Sequence, residues 1–424
     1  MTTTKPLRIC IDARASHGVV GGVQQVVAGI VGGLSALRDG AEEYLVLADE
    51  STAAWLPRLP AERWRIEPVA TASATAAAGQ KPGIAMRTAR RVADRLLEAP
   101  LLCRTLLPAL QRSDGLLERL GVDLVHFPTQ IAFLTSVPSI YHPHDLQHLH
   151  LPELFSRRTA FLRERAYRTF CGQARMVAVA STWTRDDLVS RYGLQPEKVQ
   201  VVPLAPATEP HALPGEEAAD AFLRVRGLPR SFVFYPAQTW PHKNHLALLE
   251  ALGLLRRRGL RVPLVCSGHL NSFYPTIRRR ARALGIDAHV HFLGFVTPGE
   301  LQCLYRACRA VVIPTLFEAA SFPLWEAFLA GAPAACSNVT SLPAQAGDAA
   351  LVFDPKSASE IADAIYRLWT DEPLRSALAE RGRRSVARFT WERTARLFRA
   401  HYRRLTGRPL GDADSAALAA APLL

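Results

Sequence analysis

The chain has 424 residues, about half of them apolar, and a formal net charge of +13. That length and apolar share provide for two or three buried cores and exclude wholesale disorder. No apolar run approaches the roughly 18 residues needed to span a bilayer, and seven scattered cysteines with no Cys-x-x-Cys pair fit reduced thiols better than a disulfide framework or a zinc site.

The first residues run straight into a strand without a signal-peptide apolar region, so a cytoplasmic protein is expected. An excess of positive charge admits three kinds of partner: nucleic acid, an anionic membrane, or acidic small substrates. Arginines are spread along helical segments, as in Arg256-Arg257-Arg258 and Arg278-Arg279-Arg280, with no nucleic-acid module beside them, so no nucleic-acid partner is expected.

Apolar strand-like runs alternate with amphipathic helical stretches, the pattern of parallel sheets covered by helices on both faces. In the first half the predicted strands are Leu7–Asp12, Tyr44–Ala48, Asp123–Phe127, Ser139–His142, Met176–Ala180 and Val199–Pro203. In the second half they are Phe232–Pro236, Pro263–Ser267, Val290–Leu293, Ala310–Pro314, Ala332–Cys336 and Leu351–Asp354. Two sets of about six strands predict an α/β protein of two doubly wound, Rossmann-like domains. The polar, proline-containing segment Ala205–Pro214 divides them, giving domains over 1–205 and 206–390. Residues 84–119 form a long basic amphipathic region that could lie on anionic lipid. Residues 357–405 read as consecutive helices, and 407–424 as a disordered tail.

Four constellations carry chemistry, each with a plain structural alternative. Gly21-Gly22 follows the first strand and opens a helix, where glycine lets backbone approach a ligand; a tight turn needs the same residues. The surrounding Gly18-Val-Val-Gly21-Gly22 is not a Gly-x-Gly-x-x-Gly fingerprint, which argues against a dinucleotide cofactor. His142, His144, His148 and His150 crowd the end of a strand, and His144-Asp145 lies where such folds hold ligands. A histidine there can donate to a sugar hydroxyl or move a proton, while His148 and His150 also read as ordinary surface residues, and no metal site is expected.

Lys243-Asn244 begins the helix after the second domain's first strand, where a lysine can meet a phosphate or simply be solvated. Glu318 and Glu326 are eight residues apart, with Pro323 between them marking the first turn of a helix. One carboxylate is thus placed in a turn and the other inside the helix, and the N–H groups of Ala319, Ala320, Ser321 and Phe322 lie between. Anion donors flanked by hydroxyl acceptors suit a nucleotide sugar, although two surface glutamates at this spacing are common.

Together these pieces resemble the retaining glycosyltransferases of family 4, which have the GT-B fold of two Rossmann-like domains facing across a cleft. The resemblance runs from Leu7 to about Tyr402 and rests on Gly21-Gly22, His144-Asp145, Val201-Val-Pro-Leu, Lys243-Asn244, Gly268, Leu293-Gly-Phe-Val, Glu300-Leu and the Glu318/Glu326 element. The phrases around His144-Asp145 and Pro241-His-Lys-Asn look like a bacterial subgroup that builds surface polysaccharides, often with mannose. The resemblance implies a nucleoside diphosphate sugar donor on the second domain and a glycan or lipid-linked acceptor on the first, with no metal or other cofactor.

It further implies that Glu326 holds the ribose, Glu318 contacts the transferred sugar, Lys243 neutralises the diphosphate, Gly21-Gly22 covers the phosphates and His144 touches the donor sugar. Gln238 and Asn244 complete the donor site, and the last helix, about 391–405, packs back on the first domain. Two departures stand out. The family's arginine five positions before the lysine is Gln238 here, leaving His242 or a distant arginine to supply charge. Its Glu-Gly-Phe-Gly turn is here Glu318-Ala-Ala-Ser, whose added Cβ atoms leave less room.

The expected chemistry is transfer through an oxocarbenium-like transition state, the leaving diphosphate helping to deprotonate the acceptor, since no protein nucleophile is evident. Closure around Ala205–Pro214 would exclude water. Two other classes stay open: a non-catalytic GT-B scaffold at a membrane surface, and a glycoside hydrolase, whose carboxylate pair lies roughly 5–9.5 Å apart.

Overall fold

The computed structural model describes residues 5–14, 21–69, 108–206, 214–420 and 422–424. The chain divides into two compact units, one formed by Met1–Ala180, Thr184–Val202 and Trp391–Pro422, the other by Ser181–Trp183, Pro203–Thr390 and Leu423–Leu424. The chain therefore changes unit between Val202 and Pro203, against a sequence boundary expected after residue 205. Residues 84–107 of the basic stretch, 207–213 of the expected linker, and Gly18 lie outside the described residues.

The first unit holds β1 (Arg8–Asp12), β2 (Glu43–Ala48), β3 (Trp64–Pro68), β4 (Leu124–Phe127), β5 (Ser139–Tyr141), β6 (Met176–Val179) and β7 (Val199–Val201) in one sheet, ordered β3-β2-β1-β4-β5-β6-β7. The second holds β8 (Val233–Pro236), β9 (Leu264–Ser267), β10 (Val290–Phe292), β11 (Ala310–Ile313), β12 (Ala334–Ser337) and β13 (Ala350–Phe353), ordered β10-β9-β8-β11-β12-β13. The paired strands are parallel throughout. Helices cover both faces of such sheets, so their central strands are apolar from end to end, as in Ala310-Val-Val-Ile313, all buried.

Strand order reverses direction between β1 and β4 in one sheet and between β8 and β11 in the other. Crossovers leave to opposite faces there, and the carboxyl ends of those two strands open a crevice in which α/β proteins bind ligands. β3 is an addition to the expected strands. Its Trp-Arg-Ile-Glu-Pro sequence sits at a sheet edge with only Trp64 buried, so it lacks the continuous apolar run of a central strand.

The helices used below are α1 (Gly22–Ala36), α2 (Gln147–His150), α3 (Arg157–Gln173), α4 (His245–Arg257), α5 (Phe322–Ala330), α6 (Leu342–Ala346), α7 (Trp391–Leu405) and α8 (Asp412–Ala419). α5 carries Pro323 in its first turn, where no N–H is needed, and ends at Gly331 with φ +69°, a left-handed cap. Leu324 and Phe328 on it are buried, each contributing about 1.5–3 kcal/mol of apolar transfer. α7 packs on α1, where a Cβ on Gly29 would collide with the Trp391 indole.

The expectation of disorder over 407–424 is corrected. Residues 412–419 form α8, and Asp414 on it is fully buried between two arginines of α7, with 2.7 Å to an Nη of Arg399 and 2.7 Å to an Nη of Arg403. Those arginines also hold Asp39 and Glu42 ahead of β2 at 2.8 and 2.7 Å. A weakly periodic segment is ordered here by one buried carboxylate with two cationic partners.

Candidate active site

In the second unit, β8 leads into the loop Ala237–Asn244 and then α4. Asn244 adopts φ +58° at the start of that helix, and its side-chain amide donates to the Pro314 and Pro355 carbonyls at 2.9 and 2.8 Å. Both amide hydrogens are spent on backbone, so Asn244 ties this loop to those after β11 and β13 and its amide N–H groups are not free for a ligand. The Tyr235 hydroxyl donates to the Lys243 carbonyl at 2.8 Å, and Leu316 N–H donates to the His242 carbonyl at 2.8 Å. Lys243 is thus held from two sides at the β8–β11 reversal.

Its ammonium meets Glu318 Oε2 at 2.7 Å, with both side chains about one-fifth exposed or less (21 % and 16 %). The structure brings together the cation after β8 and the carboxylate after β11. His242 and His245 flank the lysine, and burial, with the lysine's charge adding to it, pushes each down to about 3. His242 is therefore neutral near pH 7 and does not supply the charge that Gln238 lacks. The Gln238 side-chain oxygen accepts from the Trp240 indole N–H at 2.9 Å, which directs its amide hydrogens away from that ring.

The turn after Glu318 is clamped by the segment beyond β12. Thr340 and Ser341 hydroxyls donate to the Glu318 carbonyl at 2.5 and 2.9 Å, and Ser341 also to the Ala319 carbonyl at 2.6 Å. Gln345 on α6 is buried, accepts from Ser321 N–H at 2.9 Å and donates to the Ser321 carbonyl at 2.7 Å. The expected anion site is corrected accordingly: Ser321 N–H is occupied, while those of Ala319, Ala320 and Phe322 have no acceptor among the described residues. None of Ala319, Ala320 and Ser321 has positive φ, so their Cβ atoms carry no left-handed strain.

Glu326 lies one turn into α5, buried at 7 % exposure, and accepts from the Tyr305 hydroxyl at 2.7 Å. Burial pushes its carboxyl up, and the tyrosine bond pulls part of the way back. Gly268 closes the neighbouring wall with φ +129°. A Cβ there would lie 2.7 Å from the Ala237 carbonyl carbon, so this close approach of two backbones requires glycine.

In the first unit, Gly21 precedes α1 with φ −169°, extended backbone open to any residue, so its backbone conformation does not require glycine. Asp12, buried at the end of β1, holds Arg14 by two bonds of 2.8 and 2.7 Å. His144 adopts φ +65° and its Nε2 lies 3.0 Å from the Pro128 carbonyl. A carbonyl only accepts, so Nε2 bears the proton and Nδ1 offers a lone pair. Burial keeps the ring neutral. The expectation that His144 donates to a hydroxyl is reversed: it can accept.

His148 and His150 are structural. His148 is buried and bonds Glu164 on α3 at 2.9 Å, and His150 bonds Asp187 at 2.8 Å, so α2 is clasped to its neighbours. Among the described residues, no three histidine, cysteine or carboxylate side chains are grouped to hold a metal, and no helix is long and apolar enough to cross a membrane. Sequence reasoning missed Asp12, Tyr305 and Gln345, and the buried pair of His126 on β4 and Tyr402 on α7, whose Nδ1 and hydroxyl lie 2.6 Å apart. Asp12 and His126 had a signal, a polar residue within an apolar central strand; the others are single residues on helices.

Two family models match this chain: "Glycosyltransferase Family 4" over residues 20–208 and "Glycosyl transferases group 1" over residues 225–385. Between them they cover most of both units, and the chain belongs to this glycosyltransferase family. The relatives it resembles include mannosyltransferases and, at 28 % identity over 232 residues covering 52 % of this chain and 55 % of that one, the D-inositol 3-phosphate glycosyltransferase of Corynebacterium glutamicum. The chain is 26 % identical over 254 residues to the O-antigen chain mannosyltransferase B of Escherichia coli, covering 59 % of this chain and 66 % of that one. It is 32 % identical over 173 residues to the serotype-specific mannosyltransferase WbdA of Escherichia coli, covering 40 % of this chain and 21 % of that one. The chain thus spans less than two-thirds of these relatives. In fold it matches HepE of Anabaena, solved with UDP and glucose, with a TM-score of 0.67 over 93 % of this chain and 99 % of that one at 16 % identity. That likeness establishes the GT-B fold.

Proposed function

We propose that this chain transfers a hexose from a nucleoside diphosphate sugar to a glycan or lipid-linked oligosaccharide acceptor in surface polysaccharide synthesis, retaining the anomeric configuration. A GDP-mannose-type donor is favoured, because several of the relatives it resembles are named as mannosyltransferases. The observation that carries the reading is the joining of Lys243 and Glu318 at 2.7 Å across the β8–β11 reversal, beside the free N–H groups at the start of α5.

On this reading the diphosphate displaces the carboxylate of Glu318 from Lys243 and takes the lysine together with the Ala319, Ala320 and Phe322 N–H groups. Glu318, freed, accepts from hydroxyls of the sugar. Glu326, held by Tyr305, accepts from the ribose hydroxyls. Charge on the leaving diphosphate grows as the glycosidic bond breaks, and donors already aimed at it lower that barrier without reorganising. The diphosphate oxygen then takes the acceptor's proton on the face it leaves, which accounts for retention without a protein nucleophile. No metal is needed, since lysine and backbone supply the positive charge.

The test is calorimetric titration of the purified chain with GDP, UDP, ADP and dTDP, without added metal. Micromolar binding of GDP above the others, lost in Glu326→Ala, is the expected result. Selective binding of another base would overturn the GDP assignment and keep the site. Binding of none would sink the donor-site reading and leave a non-catalytic scaffold.

A further inference from the structure

Three aromatic side chains in the first unit form a buried hydrogen-bonded chain that the donor site does not use. The Tyr402 hydroxyl on α7 lies 2.6 Å from His126 Nδ1 on β4, and His126 Nε2 lies 2.9 Å from His142 Nε2 at the end of β5. Tyr402 and His126 are fully buried and His142 keeps 4 % exposure. Phe398 packs against both histidine rings, at 4.7 and 5.3 Å between centroids. Burial holds both rings in the neutral form, so each carries one N–H.

The direction of this chain follows from counting hydrogens. The tyrosine has one partner among the described residues, and that partner is a nitrogen. Were His126 to donate from Nδ1, the tyrosine's own hydrogen would be buried with no acceptor, a state that native interiors avoid. Tyr402 therefore donates, and His126 Nδ1 accepts. His126 then carries its proton on Nε2 and donates it to His142 Nε2. His142 is left protonated at Nδ1. Two residues further on, His144 spends its Nε2–H on the Pro128 carbonyl and keeps a lone pair on Nδ1.

We propose that Tyr402 and His126 are positioning residues that fix His142 as an Nδ1–H donor beside the Nδ1 acceptor of His144, forming a two-point clamp for one substrate hydroxyl. The two rings are neighbours, edge-on at 5.7 Å between centroids, and the clamp requires their Nδ1 atoms to face one oxygen within hydrogen-bond distance. A hydroxyl is at once donor and acceptor, so it satisfies both nitrogens, whereas an ether oxygen or an amine cation satisfies one. α7 thereby sets the proton pattern of a loop more than 250 positions earlier in the sequence, since Tyr402 and His126 are 276 residues apart. That the hydroxyl belongs to a sugar rests on the glycosyl-transfer reading above; the proton pattern does not.

The experiment is long-range proton–nitrogen NMR of the histidine rings in the 15N-labelled full chain, unmodified and as Tyr402→Phe. In the unmodified chain the expected pattern is a bare Nδ1 and protonated Nε2 on His126, and the reverse on His142. In Tyr402→Phe the constraint is gone and both rings should show mixed tautomers. A proton on Nε2 of His142 in the unmodified chain, which needs no variant to detect, overturns the proposal, as does an unchanged pattern in the variant. In parallel, kcat/KM for the sugar nucleotide in Tyr402→Phe should fall about three- to tenfold while affinity for the bare nucleoside diphosphate stays. An unmoved kcat/KM refutes the clamp. Absence of nucleotide binding in either form refutes the donor-site reading while leaving the ring pattern to be judged by itself.

Discussion

At the scale of single residues, the donor site separates two kinds of work. On the proposed reading Lys243 meets only the negative charge of the diphosphate and Glu326 only the ribose hydroxyls, so the two should fail differently. Removing a charged hydrogen-bond partner costs about 1.5–3 kcal/mol, or roughly 10- to 150-fold in affinity. Lys243→Ala is expected to weaken nucleoside diphosphate binding by that amount and to leave binding of the corresponding nucleoside unchanged. Glu326→Ala should weaken both alike. Calorimetry with the two ligands reads the difference, and equal losses for Lys243→Ala on nucleoside and diphosphate would contradict its placement. The placement of Lys243 and Glu318 in the loops after β8 and β11, and of Glu326 inside α5, was legible because each follows an apolar strand or a helix-start signal. The occupation of Ser321 N–H was not: it depends on Gln345, 24 positions away, and no local pattern marks a glutamine that bonds a distant backbone. The neutrality of His242 was equally hidden, since burial and not neighbouring sequence sets it.

At the scale of elements, the parallel strands were readable because burial on both faces leaves an unbroken apolar run, as in β8, β11 and β12. β3 escaped because an edge strand keeps one side in water and alternates with charge. α8 escaped for another reason. Its sequence has little helical periodicity, and what orders it is the ion cluster of Asp414 with Arg399 and Arg403. Removing one partner from a buried ion cluster leaves charge uncompensated at a cost of about 3–5 kcal/mol. Here Asp39 and Glu42 retain their own bonds to the two arginines, so the lower end applies. Asp414→Ala is therefore expected to destabilise the first unit by about 3 kcal/mol, measured by urea unfolding. A change below about 0.5 kcal/mol, the range of ordinary surface substitutions, would show that α8 is an attachment the unit does not need.

At the scale of the whole molecule, buried and neutral histidines occur in both units. His126 is pushed down to about 3 and His401 to about 4 in the first, and His242 and His245 to about 3 in the second, burial being the leading cause for each. Their ordinary value in an unfolded chain is 6.5. Between those limits the unfolded chain binds protons that the folded chain refuses, so stability is present in full above pH 6.5 and is lost as pH falls toward 3. Each such histidine contributes a slope of roughly 1.4 kcal/mol per pH unit over that window. His245 gives the cleanest test, because its two ring nitrogens are buried without partners among the described residues and its ring lies near Tyr235 and Phe292, at 4.9 and 6.2 Å between centroids. A ring with no polar atoms suits that place. His245→Phe is expected to fold, to match or exceed the parent at pH 7, and to unfold in acid with a slope shallower by about one proton. Urea unfolding at half-unit steps from pH 7 to 4 measures it, and parallel slopes for the two proteins would mean that His245 gains its proton without unfolding.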